Sequence, residues 1–244
     1  MWLIYLFVSI AILVFLYVLF LIICAQMVDI RQEYDTDSRF YRALLNGATA
    51  IALWAIRIKV QISGLEKIPR EGRLVFVSNH RSKFDPIITW YIFRKWQIAF
   101  LSKEENFHVP IFGRIIRKCC FMAIDRENPK EALKAINRAA GLLKQNAVSI
   151  GVYPEGTRSK SGGLLPFHNG VLKIAQKAQV PIVILAIDGT ERIAKNFPFW
   201  KSTVYLDVID VIPAETVCST RSSVLGGQIW SKLENKLEER NTKG

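Results

Sequence analysis

The sequence predicts an α/β fold, a mostly parallel or mixed sheet flanked by helices, with an N-terminal membrane-associated helical segment. Three observations predict it. From Gly64 onward, apolar runs of strand length alternate with helical patterns. Two of those runs end in polar loops, 78–86 and 154–159, where open α/β sheets place their ligands. Residues 1–28 carry no charged side chain, Asp29 being the first.

At ~1.5 Å rise per residue, the N-terminal stretch is long enough as a helix to cross a ~30 Å hydrocarbon core. It has no basic n-region and no small-residue cleavage pattern, so it reads as a retained anchor rather than a secretory signal. Arg31, Arg39 and Arg42 follow closely and put the remainder on the cytoplasmic face of the cell membrane. Residues 40–58 are a second apolar helix candidate, bracketed by Arg42 and Arg57 and interrupted at Asn46-Gly47. That pattern suits a helix lying in the membrane interface, with a core helix as the competing reading.

The strand candidates beyond it are 73–78, 98–102, 120–124, 148–153, 181–187 and 203–211. Helical patterns fall at 129–145, with Pro129 near its start, at 168–179, and over about 221–239. No internal repeat, low-complexity segment or Pro/Ser-rich linker divides this part.

Half the residues are hydrophobic and the formal net charge is +12. Together these point to an anionic membrane surface or an anionic substrate. Nucleic acid would also explain the charge, but the chain has no recognisable nucleic-acid module, and a greasy N-terminus does not suit one. The four cysteines have no metal-ligand or disulfide spacing; Cys119 and Cys120 lie in an apolar stretch and read as buried thiols.

In the first loop, Asn79-His80-Arg81-Ser82-Lys83-Phe84-Asp85-Pro86, one of only three histidines is followed five residues later by a carboxylate. An imidazole oriented by a carboxylate can take a proton from a hydroxyl. Asp before Pro is also a common helix start, so Asp85 could serve as an N-cap, and the two roles are compatible. The second loop, Pro154-Glu155-Gly156-Thr157-Arg158-Ser159, offers a glycine for close backbone approach, two hydroxyls, and a guanidinium matched to phosphate. Alone, it would read as a tight turn with an incidental arginine.

The pair of motifs in this order closely resembles the glycerolipid acyltransferase family, and within it the bacterial 1-acyl-sn-glycerol-3-phosphate acyltransferases of the PlsC type. Phe121-Met122-Ala123-Ile124-Asp125-Arg126 and Val180-Pro181-Ile182-Val183 match two weaker family blocks, and the resemblance covers roughly residues 64–190. It implies transfer of a fatty acyl group from an acyl thioester, acyl-CoA or acyl carrier protein, to the sn-2 hydroxyl of lysophosphatidic acid, with no cofactor or metal. It implies His80 as general base and Asp85 as its orienting partner. Glu155, Gly156, Thr157 and Arg158 would form the acceptor site, with Arg158, Lys103 and Arg126 as phosphate-binding candidates. The organisation expected is anchoring helices over 1–62 and a catalytic domain over 63–244.

One feature departs from the family pattern. Where Pro-Phe-Lys-x-Gly is usual, the chain has Pro166-Phe167-His168-Asn169-Gly170, so a cationic contact there becomes pH-dependent or is lost. The competing readings are another acceptor, such as glycerol 3-phosphate or a different lysophospholipid, and a non-catalytic protein that binds anionic lipid. The absence of Gly-x-Ser-x-Gly disfavours an α/β-hydrolase.

Overall fold

A computed structural model describes residues 1–125, 127–159 and 162–242. Seven strands form one sheet among them: β1 (Ile58–Ser63), β2 (Val75–Ser78), β3 (Ile98–Ser102), β4 (Met122–Ala123), β5 (Ser149–Val152), β6 (Ile182–Asp188) and β7 (Ser202–Ile212). Their order is β1-β7-β6-β2-β5-β3-β4, and every neighbouring pair is parallel except β6 with β7. The expected mixed sheet is present. Strands β2, β5 and β6 are buried along their whole length, which is why they read as continuous Val/Ile runs instead of alternating.

The helices are α1 (Trp2–Gln26), α2 (Arg39–Ala55), α3 (Phe84–Ile92), α4 (Phe112–Arg117), α5 (Pro129–Lys144), α6 (Lys173–Ala178), α7 (Ile193–Asn196), α8 (Ala214–Ser219) and α9 (Ser222–Asn241). Helix α5 starts where Asn128 accepts from the Lys130 and Glu131 amides, with Pro129 in its first turn. The helix expected over 168–179 is instead a 3-10 turn, Asn169–Leu172, followed by the short α6.

Helix α1 is long and apolar enough to cross a membrane, and its side chains are largely exposed until the last turns, where Leu21, Cys24 and Ala25 are buried. Helix α2 differs from its expected form in two ways. Asn46-Gly47 does not interrupt it, and Arg42 is not a surface flank but 5% exposed. Its guanidinium holds Asp37 with two nitrogens and donates to the carbonyls of Ile98 and Cys119 at 2.8 and 2.9 Å. A buried charge needs such complete pairing. Arg42 thus pins α2 to the domain, on a helix that also buries Tyr41, Leu45 and Leu53 while Phe40, Ile51 and Trp54 remain exposed. The strand β1 follows directly, so the expected division after residue 62 falls inside a strand of the sheet.

The register places the two polar loops together. Val77 of β2 lies opposite Val152 of β5, so both loops leave the same end of adjacent parallel strands. On the other side, Ser78 pairs with Leu185, and β6 runs on to Asp188 alongside the first loop.

Candidate active site

His80 follows β2, and Asp85 sits in the first turn of α3. The chain bends between them so that His80 Nδ1 lies 2.8 Å from Asp85 Oδ2. The same oxygen accepts from the backbone amides of Arg81 at 2.6 Å and Ser82 at 2.7 Å. Asp85 Oδ1 accepts from the Thr190 hydroxyl, just beyond β6. Asp85 is fully buried and Lys83 occupies the N-cap position without a side-chain cap, so the carboxylate does not cap its own helix. It gathers the preceding loop's amides and the imidazole onto one oxygen.

That arrangement sets the imidazole's tautomer. A carboxylate accepting two amide protons can only accept, so Nδ1 carries the proton and Nε2 keeps its lone pair. The ring stacks on Tyr153 with centroids 4.3 Å apart, and Tyr153 stacks on Phe100 at 5.6 Å. Gly151 makes room for this stack, since a Cβ there would meet the Phe100 ring at 2.2 Å.

Glu155 joins the two motifs. Its Oε1 accepts from the His80 amide at 2.6 Å and its Oε2 from the Leu165 amide at 2.9 Å. Burial raises its pKa above the usual carboxylate range, and the two backbone bonds offset part of that rise. The Ser159 amide donates to the His80 carbonyl at 2.8 Å, closing the junction. Gly156 takes φ +71°, a left-handed turn that glycine enters without a steric penalty. Glu155 is therefore a buried clamp between the loops, while Thr157 and Arg158 are exposed on the second loop. The Arg158 guanidinium makes no ion pair or hydrogen bond among the described residues, Glu155 included. Lys103 is exposed at the carboxyl end of β3, beside β5. Arg126 lies outside the described residues.

A cavity of about 170 Å³ adjoins the stack, bounded by Leu101, Ile124, Ala132, Ile136, Val152 and Val171 and reached by Tyr153, Gly156 and His168. No thiol competes for the chemistry here. Burial pushes Cys119 and Cys120 up to about 12, so both are protonated at neutral pH.

Sequence reasoning missed four residues of the site. Asn79, which the sequence offers only as the first residue of the loop motif, uses its side chain as a strand rung: its Nδ2 donates to the Ile187 carbonyl and its Oδ1 accepts the Ile187 amide, both at 2.9 Å. Arg81 pairs with Asp188 and donates to the Gly162 carbonyl, and Thr190 supports Asp85. The signal for the last two was present: Asp188-Gly189-Thr190 is a third polar break after an apolar run, at the same end of the sheet.

A family model described as Acyltransferase matches residues 59–188, which include His80, Asp85 and the whole second loop. The chain belongs to the acyltransferase family. Among its relatives in that family is a chloroplastic 1-acyl-sn-glycerol-3-phosphate acyltransferase of Arabidopsis thaliana, 36% identical over 74% of this chain and 49% of its own length. The 1-acyl-sn-glycerol-3-phosphate acyltransferase of Borreliella burgdorferi is 28% identical over 78% of both chains. The chain spans 44–49% of the length of three plant relatives of the same description. The acyltransferase fold is shared with the crystal structure of the 1-acyl-sn-glycerophosphate acyltransferase PlsC from Thermotoga maritima. There the TM-score is 0.72 at 24% identity, covering 93% of this chain and 89% of that one.

Proposed function

We propose that this chain is a 1-acylglycerol-3-phosphate O-acyltransferase: it moves a fatty acyl group from an acyl thioester to the sn-2 hydroxyl of lysophosphatidic acid, giving phosphatidic acid. The observation that carries this is the His80–Asp85 pair, with Nδ1 committed to a buried carboxylate and Nε2 left to accept. A secondary hydroxyl is a poor nucleophile at neutral pH, whereas a thioester is already activated. As the hydroxyl oxygen attacks the thioester carbonyl, Nε2 takes its proton, and Asp85 stabilises the imidazolium. Collapse of the tetrahedral intermediate breaks the carbon–sulfur bond, and the imidazolium returns its proton to the departing thiolate. General base catalysis of this kind contributes ~10²–10⁴-fold.

The remaining parts suit the same substrates. Arg158, exposed and without a partner among the described residues, offers a planar fork to the acceptor's phosphate, and Lys103 offers a second cation. The apolar cavity beside Tyr153 accommodates part of an acyl chain. Helix α1 supports attachment to the cell membrane, with the catalytic domain on the cytoplasmic face. The acyl donor is acyl-CoA or acyl carrier protein.

The test is direct. Purified full-length chain, given lysophosphatidic acid and either acyl-CoA or acyl carrier protein thioester, yields phosphatidic acid and free thiol in equal amounts, and His80→Ala does not. Thiol release without phosphatidic acid makes the chain a thioesterase; no turnover with either donor refutes the assignment.

A further inference from the structure

The loop between α7 and β7 reads Phe197-Pro198-Phe199-Trp200, and its three aromatic side chains are 51%, 79% and 72% exposed. Trp54, at the end of α2, is 80% exposed. They belong to one patch. Arg57 donates to the Pro198 carbonyl, the Ser202 amide donates to the Arg57 carbonyl, and Ile58 pairs with Ser202 in the β1–β7 ladder. Three exposed cations, Arg57, Lys195 and Lys201, flank the rings.

The position of the patch says what it faces. Tyr41 of α2 donates to the Cys24 carbonyl of α1, and a Cβ on Gly47 would lie 3.9 Å from the Tyr17 hydroxyl. Later residues of α1 thus meet earlier residues of α2, so the helices run antiparallel. Seven residues on, about 10 Å at helical rise, brings α2 to Trp54 and α1 back to Ile10. The patch therefore stands level with the middle of α1, and the helix runs on past it from residue 9 back to residue 2, about 12 Å.

It also shares an end of the sheet with the active site. Asp188, at the carboxyl end of β6, pairs with Tyr205 near the start of β7, and Thr190 beyond it holds Asp85. A bilayer receiving the tip of α1 would meet the patch and the catalytic loops on one side.

We propose that Trp54 and the 197–201 loop are a membrane-docking face of the catalytic domain, occupied by an anionic phospholipid surface. Tryptophan and phenylalanine rings settle at headgroup depth, and neighbouring Lys and Arg pair with lipid phosphates. A second copy of this chain is a poor occupant, because each copy carries net charge +12. Docking there would turn the Arg158 loop towards the leaflet from which a lysophospholipid comes. The proposal rests on the reading of α1 as an anchor.

The two readings separate when one cysteine at a time carries an environment-sensitive fluorophore. The background is full-length Cys218→Ser, because Cys24, Cys119 and Cys120 are buried. Labels go at Phe199→Cys in the patch, Leu6→Cys in α1, and Lys144→Cys at the opposite end of the sheet. In vesicles of phosphatidylcholine with phosphatidylglycerol, the first two blue-shift and the third does not. Phe199→Cys is then quenched by nitroxides near the headgroup and Leu6→Cys by nitroxides deeper in the chain. A label at 199 that stays in water while the one at 6 inserts overturns the docking face and leaves the anchor standing. Both labels in water overturn the anchor and the docking face with it. Quenching of the 199 label by a nitroxide-labelled copy of the protein, and not by lipid, gives the face to a second copy and also overturns the proposal.

Discussion

Thr190 donates its hydroxyl proton to the Asp85 oxygen that His80 does not use, across 105 positions of sequence. The bond fixes the rotation of a carboxylate whose other oxygen orients the imidazole. A hydrogen bond to a charged group is worth ~1.5–3 kcal/mol, so Thr190→Val should lower kcat roughly ten- to a hundredfold. The change should leave KM for the acceptor near its original value, because Thr190 is buried behind Asp85. Thr190→Ser keeps the hydroxyl and should recover most of the rate. A Ser variant as slow as the Val variant would give Thr190 a packing role only.

Asp85→Asn should keep the fold and lose the reaction. Its amide oxygen can still accept from the Arg81 and Ser82 amides, while its NH₂ group faces a Thr190 hydroxyl able to turn and accept. The charge that stabilises an imidazolium is gone, and turnover should fall by ~10²–10⁴-fold, as for His80→Ala. Circular dichroism and melting temperature close to wild type, measured beside the rate, check both halves of the expectation.

Arg158 is expected to act on substrate and not on stability. Its exposed guanidinium holds no described residue, so Arg158→Ala should leave the melting temperature unchanged. With lysophosphatidic acid the variant should raise the acceptor's KM, and Arg158→Lys should restore part of the loss, since it keeps charge but not the bidentate fork. An equal penalty with an acceptor lacking phosphate would move the phosphate site to Lys103.

Glu155 should imprint on the pH dependence of stability. Its folded pKa lies above the ordinary value of 4.5, so between those limits the folded state binds more protons than the unfolded one. Its contribution to stability is thus greatest below pH 4.5 and declines as pH rises through the raised value. Denaturant unfolding of wild type and Glu155→Gln should show the variant's deficit largest in acid and smaller at neutral pH. A deficit that grows with pH would contradict the raised pKa.

Much of this site was legible because its chemistry lies along the chain. His80 and Asp85 lie five residues apart, and Glu155 to Arg158 share a second short stretch, so each group could be picked out as a motif, and the two motifs together carried the resemblance that named their roles. The partners that hold those residues were not legible, because they arrive from other strands. Thr190 reaches Asp85 only through the β2–β6 register, and Glu155 looks like a ligand-facing acid until its oxygens are traced to the His80 and Leu165 amides. Arg42 misled for the same reason. Beside an apolar helix it reads as a membrane flank, and only Asp37 and the carbonyls of Ile98 and Cys119 make it an interior residue. Strand β1 was hidden by contiguity: Ile58, Val60 and Ile62 alternate with Lys59, Gln61 and Ser63, directly behind a helix whose apolar residues blur the change of period.

The Asn79 side chain gives the site a built-in reporter. The Ile187 amide is bonded not to another strand but to Asn79 Oδ1, one residue before His80. That amide can exchange its hydrogen with solvent when the 79–85 loop lifts away from β6, or when the sheet itself opens. Its deuterium uptake therefore measures how often the catalytic loop undocks, while amides in the β2–β6 ladder itself measure opening of the sheet. If substrate tightens the loop, Ile187 should slow together with the His80, Arg81 and Ser82 amides, while the amides of the β2–β6 ladder keep their rates.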